Sequence, residues 1–276
     1  GATDGTLVAA RWESGMDNSP RWDEALARVS GGVTFERKDN RHRPADERPV
    51  AEHYQRYAQL VQLRADQSFA APTEQSWPFL VLDVSLAAIL LVAERDLASL
   101  GEALAIDQVS GAADRAERLE GAMLEHLYDS DSGRFHDIDR LSGEAVDVGA
   151  LAAYLPLYAG LGGAKTVTAL EAAMGDSRRL GSPFGLPTVE VSHERFEPRR
   201  YWRGPCWINT NWMLIRGLET LGRGDLAERI WQQSLELLFR SGFREYYDPT
   251  SGEGLGGENF AWSAALFLDL EADEGR

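Results

Sequence analysis

The fold class of this chain is decided by the stretch at residues 206–240, which reads C-W-I-N-T-N-W-M-L-I-R-G-L-E-T-L-G-R-G-D-L-A-E-R-I-W-Q-Q-S-L-E-L-L-F-R. Its apolar residues recur every three or four positions, which is the period of a helix with one buried face. They predict two helices, at 206–221 and 225–240. The same spacing predicts seven more helices along the chain, at 20–29, 50–67, 81–104, 108–127, 145–159, 164–174 and 258–270. Almost no segment alternates apolar and polar residues as a strand does, so the sequence predicts an all-α fold.

The composition is that of a globular protein with a large negative charge. The chain has 276 residues, 28 basic and 44 acidic, and its formal net charge is −16. A surface this acidic repels nucleic acid and anionic membranes, so we expect neither as a partner. The longest apolar stretch, 79–93, is shorter than the ~20 residues that a membrane span needs. The single cysteine, Cys206, cannot form an internal disulfide, which suits a reducing compartment and leads us to expect a cytoplasmic protein.

Two loops share the pattern Y-D-x-x-S-G after a predicted helix, at 128–133 and 247–252. Asp, Ser and Gly are the residues of tight turns. The repetition suits a fold built from repeated helix–loop–helix units, but chance similarity between two turns is the favoured explanation.

Tryptophan is frequent in this sequence, with eight residues in 276. Trp231 and Trp262 lie within apolar helical periodicity and are predicted to be core residues. The other six lie beside Gly, Pro, Asn or Arg, and we expect them to be displayed at the surface: Trp12, Trp22, Trp77, Trp202, Trp207 and Trp212. Aromatic faces beside polar side chains suit a sugar, whose ring has an apolar face and a rim of hydroxyls. A protein–protein interface uses the same residues.

Two segments combine these aromatic residues with polar groups, and each also has a purely structural interpretation. The first is W-E-S-G-M-D-N-S-P-R-W-D at 12–23, which is also explained as a capped helix start. The second is Y-W-R-G-P-C-W-I-N-T-N-W at 201–212. In its structural interpretation, Trp207 and Trp212 pack in the core and Arg203 pairs with an acid.

A third segment contains the carboxylate of Glu245. It reads F-R-E-Y-Y-D-P-T-S-G-E-G at 243–254, and N-F-A-W-S-A-A-L follows at 259–266. Its glycines lack the lysine and the spacing of a phosphate-binding loop. We therefore expect them to let the backbone approach a ligand or the next helix.

Together the three segments resemble the inverting glycosidases with an (α/α)6 barrel, and specifically glycoside hydrolase family 63. The likeness is greatest to the glucosylglycerate and mannosylglycerate hydrolases of that family, while trehalases share looser versions of the first and third segments. The resemblance implies a toroid of twelve helices, whereas the sequence predicts nine. In family members several helices precede the segment that corresponds to 12–23. We therefore expect residues 1–276 to form a single catalytic domain that is the C-terminal portion of a longer enzyme.

The resemblance also implies the catalytic residues. It places the general acid on Asp17 and the general base on Glu245. Inversion requires the two carboxyl groups about 6.5–9.5 Å apart, so that a water fits beside the base. We expect Arg203 or Arg244 to hold Glu245 ionised, and Glu13 to support the first segment.

The resemblance further implies a site for the hexose that is cleaved. The residues that it assigns to substrate binding are Trp12, Gly15, Arg21, Tyr57, Tyr201, Trp202, Arg203, Gly204 and Trp207. For the two arginines, pairing with Asp23 or Glu13 is an equal alternative.

The predicted reaction is hydrolysis of a small α-glucosyl or α-mannosyl compound, such as glucosylglycerate or mannosylglycerate. We expect neither a cofactor nor a metal ion, because the five histidines are scattered without the spacing of a metal site. The alternatives are a trehalase or oligosaccharide α-glucosidase, and a non-catalytic toroid that binds a carbohydrate or a protein.

Overall fold

The computed structural model describes residues 7–8, 11–39, 41 and 43–274. Its helices are α1 (Asp23–Ala27), α2 (Ala51–Asp66), α3 (Val84–Leu104), α4 (Ala112–His126), a nine-residue 3-10 helix (Leu151–Ala159), α5 (Gly163–Gly175), α6 (Ile208–Thr220), α7 (Gly224–Ser241) and α8 (Ala261–Glu274). Shorter 3-10 turns lie at Arg11–Ser14, Pro20–Trp22, Ala45–Glu47 and Asp107–Val109. Within the described ranges, each of the nine predicted helical segments is helical over part or all of its length.

The helices pack in two layers. One row runs from α3 to the 3-10 helix Leu151–Ala159, then to α6 and α8, each member contacting the next. The second layer consists of α4, α5 and α7, which pack against α3, the 3-10 helix and α6, respectively. The largest core cluster lies between the layers, around Leu155, Leu170, Leu214 and Ile230. The loops that connect the helices lie at the helix ends, and some of their side chains, such as Leu186, Trp202 and Trp207, join this core.

Short strands supplement the helices in those loops. Strand β1 (Leu7–Val8) pairs with β2 (Val81–Leu82), which pairs in turn with β5 (Ile138–Asp139). Strands β3 (Tyr128–Asp129) and β4 (Arg134–Phe135) form one antiparallel hairpin. Strands β6 (Arg244–Tyr247) and β7 (Gly254–Glu258) form a second.

Several of the predicted helices begin later than the sequence indicates, and two of them show the cause. Helix α8 begins at Ala261 rather than at residue 258, because β7 runs through Glu258 and pairs with Arg244. The segment predicted at 145–159 is helical only from Leu151, since Ala145 and Ala150 are bridged to neighbouring extended chain. Main-chain pairing with distant residues therefore overrides helical periodicity at both sites.

No described helix is both long enough and apolar enough to cross a bilayer. Cys206 is completely buried, and burial raises the pKa of its thiol to about 12. The thiol therefore stays protonated at neutral pH, which agrees with a packing role rather than with a nucleophile.

Candidate active site

The first aromatic segment of the sequence folds as a tight loop that leads into the Pro20–Trp22 turn. Met16 O accepts hydrogen bonds from Ser19 N at 3.1 Å and from the indole Nε1 of Trp22 at 2.8 Å. Met16 N donates to Ser14 Oγ at 3.0 Å. Asp17, the residue after Met16, is partly buried. The carboxylate assigned as general acid thus lies on a loop whose backbone is fixed on both sides.

Arg21 ties this loop to the start of helix α3. Its guanidinium is buried and contacts Asp137 at 2.7 Å and Asp83 at 3.3 Å. Asp83 caps α3 by accepting from Ser85 N, while Asp137 accepts from Val84 N. Burial raises the pKa of Asp83, and Arg21 opposes that rise. Asp83 and Asp137 are therefore the acids that pair with Arg21, in place of the predicted Asp23 and Glu13. Its Nη1 atom faces these two acids and not the aromatic cavity described below.

The first segment binds directly to the second. Asn18 Oδ1 accepts a hydrogen bond from Trp202 N at 2.9 Å, and Asn18 O accepts one from Arg203 at 3.3 Å. Arg203 also forms a two-pronged ion pair with Asp23, at 2.9 and 2.8 Å. This ion pair agrees with the alternative in which Arg203 is a structural partner of Asp23.

The second segment binds in turn to the third. Cys206 and Tyr247 exchange two main-chain hydrogen bonds, at 2.8 and 2.9 Å. Alongside them the rings form a continuous stack, with Trp202 on Trp207 at 3.8 Å and Trp207 on Tyr246 at 4.8 Å between ring centroids. Three segments that are remote in sequence thus meet in one place.

Glu245 lies on β6, opposite an irregularity in the hairpin. Arg244 pairs with Glu258 and Tyr246 pairs with Leu255, so β7 has one extra residue opposite Glu245. A bulge of this kind bends the strand and re-aims a side chain.

Two donors hold the carboxylate of Glu245. Gly257 N donates to its Oε2 atom at 2.9 Å, and Arg48 Nη2 contacts the same atom at 3.4 Å. The side chains of Glu245 and Arg48 are 13% and 16% exposed, so the pair is shielded from bulk water without being closed off. The expectation that Arg203 or Arg244 would hold Glu245 is wrong, because Arg203 pairs with Asp23 and Arg244 pairs with Glu258.

An aromatic cavity of about 260 Å³ opens beside the first two segments. The first segment lines it with Ser14, Gly15 and Met16, and the second lines it with Trp202, Asn209 and Trp212. Its remaining wall comes from Ile89, Tyr158, Met213, Trp262 and Leu266. Its polar groups are few and its aromatic faces are many, which suits the apolar face of a sugar ring.

The tryptophan predictions are mostly wrong in detail. Four of the rings expected at the surface are almost completely buried: Trp22, Trp77, Trp202 and Trp207. Trp231 is buried as predicted, whereas Trp262, predicted for the core, is 45% exposed and lines the cavity. Trp202 and Trp207 are buried because they stack on one another, and periodicity within one segment does not reveal that.

The other residues assigned to substrate binding have different environments. Gly15 lines the cavity with a φ of +76°, and Tyr201 packs edge-on against Trp207. Gly204 is required by packing, because a Cβ there would be 2.8 Å from Glu197 O. Tyr57 is buried and lines a separate groove with Val33, Phe35, Tyr54, Ala58, Val61 and Gln62. The side chain of Trp12 lies outside the described residues.

Sequence reasoning missed Arg48 and Glu47. Both lie just before α2, in a polar stretch from 36 to 48 that the composition marks only as a loop. Glu13, by contrast, contacts Arg64 at 3.4 Å and so supports the first segment as expected. A charged residue in a charged loop carries no local signal of burial, so only the tertiary structure reveals Arg48 and Glu47.

The comparison with known proteins decides the family. Residues 2–263 match the model described as the mannosylglycerate hydrolase MGH1-like glycoside hydrolase domain. The chain belongs to that family. A mannosylglycerate hydrolase of Thermus thermophilus is 43% identical over 271 residues, which cover 95% of this chain and 63% of the relative. A glucosylglycerate hydrolase of Mycolicibacterium hassiacum is 34% identical over 275 residues, which cover 94% of this chain and 60% of the relative.

A solved structure of the family agrees with the fold. The crystal structure of a family 63 mannosylglycerate hydrolase from Thermus thermophilus, in complex with Tris and D-glycerate, superposes with a TM-score of 0.89 at 40% identity. The match covers 97% of this chain and 66% of that chain. The resemblance to family 63 and the all-α toroid are thereby confirmed. The chain spans just under two thirds of the length of the relatives that it matches.

Proposed function

We propose that this protein is an inverting α-glycosidase that hydrolyses mannosylglycerate, glucosylglycerate or a close analogue. The observation that carries the proposal is the joining of the three segments. Asn18 binds Trp202, Cys206 binds Tyr247, and the ring stack from Trp202 to Tyr246 runs between these contacts. The loop of the acid and the strand of the base are thereby parts of one rigid unit.

Glu245 is suited to the role of general base. Both of its described donors, Gly257 N and Arg48, bind Oε2. Among the described residues none is found to donate to Oε1, so this oxygen can accept the proton of a water. That water attacks the anomeric carbon from the face opposite the leaving group, and the configuration inverts.

Asp17 takes the role of general acid. It protonates the glycosidic oxygen as the bond to the anomeric carbon breaks, so that glycerate leaves as a neutral alcohol at that oxygen. The loop that carries Asp17 is braced through Met16 and through Arg21, whose partners lie at the start of α3. Such bracing is what acid catalysis needs, because a misplaced proton donor loses most of its effect.

The relatives and Arg48 support an anionic substrate. Two relatives are named for glycerate glycosides, and D-glycerate is bound in the similar crystal structure. Arg48 lies beside Glu245, and its buried Nε atom has no hydrogen-bond partner in the described part of the chain. A guanidinium with an unused donor can bind a carboxylate, and it supplies local positive charge in a chain of net charge −16.

The first test is the stereochemistry of the reaction. The protein, with any flanking sequence that it has in its source organism, is mixed with mannosylglycerate or glucosylglycerate and followed by proton NMR. We expect the β-anomer of the hexose to appear first and then to mutarotate. Initial release of the α-anomer contradicts the mechanism.

The second test separates the roles of the two carboxylates. Asp17→Asn and Glu245→Gln should each lower hydrolysis of the natural glycoside by about 10²–10⁴-fold. An α-glycosyl fluoride needs little help from an acid, so Asp17→Asn should recover most of its activity on the fluoride, whereas Glu245→Gln should not. Glu24→Gln and Glu258→Gln are controls with exposed carboxylates beside the same two segments.

Two further outcomes identify the alternatives. Hydrolysis of trehalose in preference to the glycerate glycosides would indicate a trehalase. If the protein hydrolyses none of these glycosides but gains thermal stability from them, also in the Asp17→Asn and Glu245→Gln variants, it is a binding toroid.

A further inference from the structure

A second carboxylate, that of Glu47, is buried against the hairpin of Glu245. Glu47 is 6% exposed, and its Oε2 atom accepts a hydrogen bond from Gly256 N at 2.9 Å. The next amide in the chain, Gly257 N, donates to Glu245 Oε2 at the same distance. Two consecutive amides of the β7 bulge therefore bind two different carboxylates.

The chain around Glu47 is fixed to this hairpin at several points. Glu47 O accepts from the phenol of Tyr246 at 3.0 Å, and burial raises the pKa of that phenol so that it stays a donor. Arg200 donates to Ala45 O at 3.0 Å and also to the main-chain oxygen of Arg48. The Ala45–Glu47 turn is thus held as firmly as an element of regular structure.

The bulge itself has little room for adjustment. Gly256 has a φ of +64°, which favours glycine, and a Cβ at this position would lie 2.5 Å from Glu245 Oε2. The direction of the Gly257 amide therefore depends on how the Gly256 amide is held, and Glu47 holds it.

We propose that Glu47 is a positioning residue for the reaction, because its carboxylate fixes the Gly256–Gly257 bulge so that Gly257 N meets Oε2 of Glu245. Arg48, the neighbour of Glu47 in sequence, reaches the same oxygen. The inference rests on the proposed role of Glu245 as general base. It adds to that role an account of what aims the carboxylate.

A pair of variants isolates the hydrogen bond from the charge. Glu47→Gln and Glu47→Leu both remove the negative charge, but only the glutamine retains an oxygen that can accept from Gly256 N. The other charged or ionisable groups near Glu47 and Glu245 are Arg48, Arg199, Tyr201 and Tyr246, and these are the same in both variants. Differences between the two variants therefore report the hydrogen bond.

We expect Glu47→Gln to retain most of the kcat and Glu47→Leu to lose about tenfold or more of it, with KM within about twofold. The acid limb of the kcat profile should lie at higher pH in Glu47→Leu than in Glu47→Gln, because the glutamine alone keeps the Gly257 amide aimed at Glu245 Oε2. Asp46→Asn, on the exposed neighbouring carboxylate, should leave the acid limb unchanged.

A titration that does not depend on activity distinguishes a positioning role of Glu47 from a structural role alone. The carboxyl carbon of Glu245 is followed by carbon-13 NMR against pH in both variants. The same midpoint in both, with only a lower Tm for Glu47→Leu, would show that Glu47 has a structural role alone. If the unsubstituted protein hydrolyses no glycoside, the proposed function fails, and this titration still tests the link between Glu47 and Glu245.

Should Glu47→Leu not fold, Glu47→Asp replaces it. This variant keeps the charge and shortens the side chain by one methylene, which withdraws the oxygen from Gly256 N. Compared with the unsubstituted protein, it should raise the midpoint of the Glu245 titration, and an unchanged midpoint overturns the inference.

Discussion

The hairpins β3–β4 and β6–β7 share the turn Y-D-x-x-S-G in sequence and in structure. In both, the main-chain oxygen of the aspartate accepts from the glycine four residues later, at 2.9 Å for Asp129 and 2.8 Å for Asp248. Gly133 and Gly252 have φ values of +71° and +73°, and each aspartate carboxylate accepts from the amide two residues on. The repetition seen in the sequence is therefore a repetition of one turn.

The two hairpins differ in length and in surroundings. Strand β3 has two residues and follows α4 directly, and the position two before its tyrosine is His126, which is exposed. Strand β6 has four residues, and the position two before its tyrosine is Glu245, opposite the bulge. Asp248 is buried, whereas the side chain of Asp129 is 42% exposed.

The turn is therefore the same in both hairpins, whereas the strand before it carries different residues, and in β6 one of them is Glu245, the proposed general base. The longer strand β6 and the bulge in β7 bring Glu245 to Gly257 N.

The largest effect is expected from closing the bulge. Gly256→Ala places a methyl group against Glu245 Oε2 and should lower kcat by about 10²-fold, since displacement of the proposed general base by about 1 Å would have an effect of that size. Gly143→Ala is the control, because Gly143 also has a positive φ, of +79°, but has open space around it. Steady-state kinetics measures both, and equal losses in the two variants would contradict the contact.

The second effect concerns the burial of the turns. Asp248→Ala leaves the amides of Thr250 and Ser251 without their acceptor, the buried carboxylate of Asp248, and should lower the free energy of unfolding by about 1–3 kcal/mol. Asp129→Ala should have a smaller effect, because water can reach its turn. Urea unfolding of both variants makes the comparison, and a larger loss for Asp129→Ala would refute it.

The third effect separates the two tyrosines. Tyr247 is buried, its phenol donates to Gly242 O at 2.8 Å and accepts from Arg244 N at 2.9 Å, and burial raises its pKa to about 12. Tyr247→Phe should therefore lower the free energy of unfolding by about 1–2 kcal/mol, and Tyr128→Phe by less. Thermal unfolding measures this order, and equal Tm values for the two variants would contradict it.

The smallest effect is a dependence on pH beside the first hairpin. Burial lowers the pKa of His136 from its ordinary 6.5, and Arg134 adds to the lowering, while Asp129, Asp137 and Asp147 oppose it. The unfolded chain therefore binds the proton first as the pH falls below about 6.5, and the free energy of unfolding decreases there. The contribution of His136 is fully present above pH 6.5.

Substitution of His136 tests this dependence. In His136→Gln the decrease in the urea midpoint between about pH 7.5 and about pH 5.5 should be smaller than in the unsubstituted protein. His126→Gln, on the exposed histidine at the end of α4, is the control. If the urea midpoint depends on pH in the same way in all three proteins, His136 is not the cause of that dependence.

Much of the architecture follows from the sequence by itself. Helical periodicity places all nine described helical segments, and the three aromatic segments indicate the family and the candidate carboxylates Asp17 and Glu245. Periodicity and turn composition are properties of neighbouring residues, so they can be seen without knowing what packs against them.

The tertiary structure decided what each side chain contacts. It pairs Arg203 with Asp23, gives Arg48 to Glu245, and buries Glu47 beneath the bulge at Gly256. These contacts span from 180 to 209 positions in sequence. Burial and the choice among many acids and bases depend on which distant elements meet, and no local pattern records that choice.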